Sequence, residues 1–336
     1  MSFTSFVPSL VLLFRFKNKF VRISAIMNEK HYLVLAYYHF VDLPNPREEV
    51  ARHKEFFVGK DVTCRIYLSV QGINGQLSAR LSDAQAYMEW MQSRPEFSNI
   101  VFKLHEHFEH AFPRITVKYR KKLVAIDADV DLSKRGEHVS PRRWKEMIEC
   151  EKEKVLIDVR NDYEWKIGHF EGSELPPCKT FRDFVEYADK LKEKIDPAKT
   201  PVMMCCTGGI RCEIYSSILM QRGFEKVYQL EGGIINYGEK EGNKYWKGKL
   251  FVFDDRLGVP LSDENSSVIG TCHHCGNAND TYYNCANMDC NELFLCCPDC
   301  LPIHSGCCQE SCKTAERVRP YHQIGHKPFR KWYHYT

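Results

Sequence analysis

Met203-Met-Cys-Cys-Thr-Gly-Gly-Ile-Arg211 is the stretch on which the reading of this chain turns. Met203 to Cys205 close a short apolar run that opens at Pro201, as a fully buried strand does. A helical pattern follows from Cys212 to Arg222 and is stopped by Gly223. Between them, Cys206 to Arg211 form a glycine-containing loop. A strand, a short loop and a helix in this order aim the loop amides and the positive end of the helix at one point. Cys206 occupies that point. The local field and the Arg211 guanidinium favour the thiolate, which is the reactive form of cysteine. Gly208 and Gly209 let the backbone wrap the sulfur without Cβ clashes.

Working outward, strands are expected at Val155 to Val159, Pro201 to Cys205 and Lys226 to Leu230, alternating with helices at Thr180 to Lys194 and Cys212 to Arg222. That alternation predicts a parallel α/β sheet. Ser140-Pro141 supplies an N-cap and first-turn proline for a helix at the start of this unit. Nearer the N-terminus, Tyr32 to Phe40 is a β-rich run followed by Pro44-Asn-Pro and a helical stretch from Arg47 to Phe57. Val62 to Leu68 and Gly75 to Ala79 read as strands joined by a turn over Gln71 to Gly75. Ser82-Asp-Ala-Gln85 reads as a capping box for a helix to about Ser93, and Ile100 to Leu104 as a further strand. The order βαββαβ predicts a ferredoxin-like α+β sandwich of about 90 residues. Ile115 to Gly136 reads as a charged connector. The expected division is an extension over 1–29, the ferredoxin-like domain over 30–125, a linker over 126–140, the α/β domain over 141–255, a cysteine-rich region over 256–315 and a basic, aromatic tail over 316–336.

The α/β unit resembles the rhodanese family, through more than its loop. Asp158-Val-Arg160, Glu164-Trp165, Gly168-His-Phe-Glu-Gly172, Pro176 and Leu230-Glu-Gly-Gly233 stand in the family's order, with Tyr237 where tryptophan is common. The resemblance implies a rhodanese-like fold with Cys206 as nucleophile. It also implies Arg211 as the second catalytic residue, with Thr207, Gly208, Gly209 and Ile210 forming the loop. Asp158 and Arg160 are expected to brace that loop through hydrogen bonds. Four residues separate Cys206 from Arg211, one fewer than in related phosphate-binding loops, which suits sulfur or a small ligand. Cys205 reads as a buried strand-end thiol, and Cys212 as a neighbour that could serve as a resolving thiol.

The chain has 336 residues, 43% hydrophobic and 27% charged, as expected of a soluble protein of two or three domains. A net charge of +3 is too small to imply nucleic-acid binding by itself. Ten of the 16 cysteines fall between Cys272 and Cys312. Cys272/Cys275, Cys285/Cys290, Cys297/Cys300 and Cys308/Cys312 make four pairs, enough for about two structural zinc ions. Pairs one with three and two with four is one arrangement. Spacing leaves the pairing open, with Cys296, Cys307, His273, His274 and His304 as substitutes. Thiols used this way belong to a reducing compartment, and the cytoplasm is expected. Phe3 to Phe16 is apolar and followed by Lys17, Lys19 and Arg22, but it is too short to span a membrane and lacks the order of a signal peptide. It reads as an extension preceding a start at Met27, or as an unusual targeting segment.

Lys118-Tyr-Arg-Lys-Lys122, Arg142-Arg-Trp-Lys145 and the tail from Arg317 mix cations with rings, a composition suited to RNA or to a solvated face. Gly72-Ile-Asn-Gly75, this basic stretch, the rhodanese-like unit and the cysteine-rich region together resemble the tRNA uridine(34) hydroxylase family over roughly residues 30 to 312. The resemblance implies oxygen-dependent conversion of the wobble uridine to 5-hydroxyuridine at Cys206. Its partners would be the tRNA anticodon loop, contacted by Lys118, Arg120, Lys121 and Lys122, and a separate electron donor. Molecular oxygen would be co-substrate. No nicotinamide, flavin or haem motif is seen, nor a two-histidine, one-carboxylate iron site. The competing expectations are a sulfurtransferase carrying a Cys206 persulfide and a binding adaptor that uses the fold as scaffold.

Overall fold

The computed structural model describes residues 10–16, 19–25, 32–150 and 153–321. Within the stretch expected as an extension, Leu10–Phe16 (β1) pairs antiparallel with Lys19–Ala25 (β2). Tyr32–Phe40 (β3), Pro46–Phe56 (α1), Val62–Ser69 (β4), Gly72–Arg80 (β5), Leu81–Gln92 (α2), Lys103–His107 (β6) and Ile115–Tyr119 (β7) then build a sandwich. Its sheet runs β6-β3-β5-β4-β7. The first four are the ferredoxin-like order; β7, expected as connector, adds a fifth strand parallel to β4.

Three local details differ from the sequence expectation. Ser69 pairs with Gly72, so the β4–β5 turn holds only Val70 and Gln71 and the glycines lie in β5. There a Cβ on Gly75 would fall 2.3 Å from the Tyr37 ring, so this glycine makes room for an aromatic side chain. The helix begins at Leu81 with Arg80 as its N-cap and no side-chain cap, two residues too early for the Ser82 capping box.

Alternation along the strands sends Leu35, Tyr37, Ile66, Leu68, Ile73 and Leu77 into a core with Tyr87, Met88 and Met91 of α2. Two of the cross-strand rows on the opposite face are Tyr38, Asn74, Tyr67 and Lys118 in one, and Lys103, Ala36, Gln76, Arg65 and Thr116 in the other.

The second domain is built from Glu137–Val139 (β8), Pro141–Cys150 (α3), Val155–Asp158 (β9), Asp162–Trp165 (α4), Gly168–Phe170 (β10), Phe184–Lys194 (α5), Val202–Cys205 (β11), Ile210–Gln221 (α6), Val227–Leu230 (β12) and Gly233–Glu241 (α7). β8-β12-β11-β9 form a parallel sheet. Its central strand β11 is buried throughout, as its unbroken apolar pattern requires. Trp246–Gly248 (β13) pairs with β10, and Leu250–Phe251 (β14) with Gly258–Val259 (β15). The cysteine-rich region adds the hairpin of Tyr282–Asn284 (β16) and Leu293–Leu295 (β17), with the single turns Cys300–Ile303 (α8) and Glu310–Lys313 (α9). Tyr282 Oη donates to Tyr163 O at 2.7 Å, tying this region to the α/β domain. Among the described residues no helix is long and apolar enough to cross a membrane.

Candidate active site

Cys206 leaves the C-terminal end of β11, and Gly209, at φ +105°, turns the chain into α6. Its side chain is buried and its Sγ accepts the Gly209 amide at 3.1 Å. Burial opposes ionisation of the thiol. The Cys212 thiol, the Arg211 charge and the amides of Cys212 and Gly209 outweigh it and bring the pKa down to about 6. Cys206 is therefore largely thiolate at neutral pH. Cys205 and Cys212 are also buried, and burial pushes both thiols well up, so the three adjacent cysteines are chemically distinct.

The loop is held from two sides, by Glu164 and by the start of α7. Arg211 forms a two-pronged pair with Glu164, and its second nitrogen lies 2.7 Å from Oε2; Thr207 Oγ1 donates to the same carboxylate at 3.3 Å. Beneath, the Arg160 Nε and Nη2 atoms meet Asp158 at 2.8 and 2.5 Å, and Nη2 also donates to Gly168 O at 2.6 Å. Both residues are fully buried, and their side chains bond to each other and to Gly168 O rather than to the loop itself. From behind, the first amides of α7 cap the loop: Ile234 N donates to Cys206 O at 3.0 Å and Ile235 N to Thr207 O at 3.1 Å. This close approach explains the glycine pair of Leu230 to Gly233. At Gly233, φ +70°, a Cβ would lie 2.6 Å from Cys206 O and 2.7 Å from Gly209 N. Trp165 Nε1 donates to Pro176 O at 3.0 Å, which joins two more of the motif positions. Tyr237, in place of the usual tryptophan, sends its hydroxyl to Lys244 O at 2.5 Å.

The open side of the loop faces the sheet of the first domain across a cavity of about 310 Å³. Cys206, Thr207, Gly208, Ile210 and Arg211 form one wall; Tyr38, Arg65, Tyr67, Asn74, Gln76 and Lys103 from the two cross-strand rows form the other. Two contacts join the walls. Lys103 Nζ donates to Gly208 O at 2.9 Å, and Tyr38 Oη donates to Glu213 Oε1 at 3.1 Å. Glu213 is a buried junction that also accepts from Arg135 at 3.0 Å and His138 at 2.9 Å. Burial raises the Glu213 pKa, but these partners outweigh it and hold it below the usual carboxylate value; the bond to Glu213 raises that of His138. Lys103, Tyr38, Glu213 and the pairing role of Glu164 were not legible in the motifs.

Of the basic stretch, Lys118 is cross-strand neighbour to cavity-lining Tyr67, and the Arg120 guanidinium lies 4.9 Å from the Tyr67 ring centroid. Lys121 is exposed. Lys122 is spent otherwise: its ammonium donates to Ile126 O at 3.2 Å and Ala128 O at 2.9 Å, fastening the connector. The tail cations Lys327, Arg330 and Lys331 lie outside the described residues.

The eight paired cysteines gather into two groups of four: Cys272, Cys275, Cys297 and Cys300, and Cys285, Cys290, Cys308 and Cys312, with sulfurs in each within 4.8 Å of one another. Cys296, Cys307 and the three histidines fall in neither; the His274 and His304 rings stack at 3.7 Å instead. Four sulfurs each about 2.3 Å from zinc stand about 3.8 Å apart at the corners of a tetrahedron. Cys275 and Cys297 are 3.7 Å apart, and Cys290 and Cys308 are 3.6 Å apart, so both groups fit that ion. Backbone amides of Cys297 and Cys308 donate to the Cys272 and Cys285 sulfurs at 3.3 and 3.5 Å, as second-sphere donors to a thiolate site do.

Residues 32–123 match the family described as UPF0176 acylphosphatase like domain, 140–240 the Rhodanese-like domain, and 247–313 the Rhodanase C-terminal family. Among curated proteins, the tRNA uridine(34) hydroxylase of Protochlamydia amoebophila is 59% identical over 91% of this chain and 96% of its own length. Those of Chlamydia felis and Chlamydia trachomatis serovar D are 56% and 55% identical over 90% of this chain and 94% and 93% of theirs. All three domains are shared at this level of identity, and the chain belongs to the tRNA uridine(34) hydroxylase family.

Proposed function

We propose that this chain hydroxylates uridine 34 of tRNA, at the wobble position, to 5-hydroxyuridine. Cys206 is the reactive group, and the anticodon loop delivers the base into the cleft between the two domains. The observation that carries the reading is the wall opposite Cys206: a sheet face bearing tyrosines, carboxamides and cations. A simple sulfur carrier has no need of such a surface, whereas an unstacked base is held by rings and polar edges. Lys118, Arg120 and Lys121 stand where the flanking phosphates would pass. Oxygen is the co-substrate, with one atom going to the base and the other to water. That stoichiometry requires two electrons from a separate donor. Each four-thiol group holds a structural zinc ion with no open position for chemistry. A tRNA substrate and reduced zinc-binding thiols support a cytoplasmic location.

The test is to delete the gene together with any parallel pathway, digest bulk tRNA to nucleosides and measure 5-hydroxyuridine by mass spectrometry. The nucleoside should vanish and return with the wild-type gene but not with Cys206→Ala. A level unaffected by the deletion would overturn hydroxylation and leave sulfur transfer by Cys206 as the activity to assay.

A further inference from the structure

Lys103 is the outlier of the cleft. It stands on β6, in the first domain, yet its ammonium lies against the nucleophile loop of the second, 2.9 Å from Gly208 O and 5.3 Å from the Tyr38 ring centroid. It is partly buried, and among the described residues no carboxylate forms an ion pair with it. Burial pulls its pKa down, while the Cys206 thiolate and Glu239 push it up. An ammonium has three protons to donate, and the bond to Gly208 uses one. The remaining donors belong to a group that lines both the main cavity and a smaller one of about 130 Å³ behind it.

We propose that Lys103 donates a hydrogen bond to O4 of the uracil and so selects uridine over cytidine. The proposal rests on the hydroxylase reading of the site. A base entering from the open rim keeps its sugar outside and presents its far edge to Cys206. On uracil that edge is C5 with its neighbour C4, whereas O2 lies beside the glycosidic nitrogen. A group next to the Cys206 loop therefore meets O4. Protonated lysine can only donate. It satisfies the O4 acceptor, but it faces the amino group of cytosine with a second donor and leaves both unpaired. A buried mismatch of this kind costs about tenfold or more in binding. Lys103 is thus a substrate-contacting residue supplied across the domain boundary. Cys206 and Arg211 belong to the rhodanese-like unit; the choice of base comes from the sheet laid over it.

The experiment measures binding of anticodon stem-loop RNAs to the full zinc-loaded protein. The RNAs carry uridine, cytidine or 4-thiouridine at position 34. Wild type should prefer uridine over cytidine by about tenfold or more. It should also lose affinity for 4-thiouridine, whose sulfur is a poor acceptor, a result that needs no variant. Lys103→Met should bring the uridine and cytidine affinities within about twofold of each other, and Lys103→Arg, which keeps a cationic donor, should retain the preference. A wild type indifferent to the group at position 4, or a Lys103→Met protein that still prefers uridine, would overturn the proposal. Failure of the hydroxylase reading itself shows separately, as 5-hydroxyuridine that persists when the gene is deleted.

Discussion

Removing the Arg211 charge should raise the Cys206 pKa by about one unit. The thiol stands at about 6 against an ordinary value of 9.0, in spite of burial, because the Cys212 thiol, Arg211 and two amides all favour the anion. A rise of one pKa unit corresponds to about 1.4 kcal/mol. At pH 7 the thiolate fraction would then fall from about 90% to about 50%. A single Arg211→Gln change would strand Glu164, whose side chain is 0% exposed, and breaking a buried pair costs about 3–5 kcal/mol. The informative protein is therefore Arg211→Gln with Glu164→Gln, which removes both charges and keeps the shape. The assay is the ultraviolet absorbance of the thiolate followed through a pH titration, with the spectrum of a Cys206→Ser protein subtracted to cancel the other cysteines. The midpoint should lie about one unit above that of a Glu164→Gln protein, which accounts for the lost carboxylate, and the acid limb of the activity profile should move with it. A midpoint in the double variant no higher than in Glu164→Gln alone would refute the electrostatic role given to Arg211.

Purified protein should carry about two zinc ions per chain, and Cys290→Ser should lose one of them while the other group keeps its own, as metal analysis of the two proteins can show. The His138–Glu213 pair gives a pH signature. The raised pKa of His138 means its contribution is fully present below about 6.5 and lost as pH rises through the folded value. The lowered pKa of Glu213 means its contribution is present above about 4.5 and lost as pH falls through its own. The gap in melting temperature between wild type and His138→Gln should thus be widest at about pH 5 to 6 and close on the alkaline side; a gap independent of pH would remove the charge from the argument. Reversing Lys118, Arg120 and Lys121 to glutamate should weaken tRNA binding and reduce the slope of log affinity against log salt by about two or more. Unchanged affinity would place the RNA elsewhere.

Much of this architecture was legible because it is local. The buried strand, the glycine loop and the helix around Cys206 follow from one continuous run, Pro201 to Gly223, and CxxC spacing announces metal ligation wherever the chain folds. The strand Ile115–Tyr119 was missed because only Val117 of its five residues is buried, too little for an alternating pattern to stand out. The Ser82 cap failed because cross-strand pairing carries β5 through to Arg80 and leaves no room for a cap at Ser82. Lys103 could not be found at all: it stands 105 positions before Gly208, and no periodicity links a strand of one domain to a loop of another. The metal groups were half legible, since spacing supplied the ligands and only the fold paired first with third and second with fourth.

The junction at Glu213 bears on how such an enzyme can be taken apart. Tyr38, Arg135 and His138 reach one carboxylate from the first domain, the connector and the α/β sheet. A truncated chain beginning near residue 140 would keep the whole loop around Cys206 but strip every one of those ligands, and with them the roof over the sulfur. The thiolate would then meet bulk water and any small electrophile dissolved in it. The fragment should be a less discriminating reagent than the parent, quick with low-molecular-weight sulfur compounds and indifferent to RNA. In this view the first domain acts as a filter fitted over a general-purpose nucleophile, and what it excludes matters as much as what it admits.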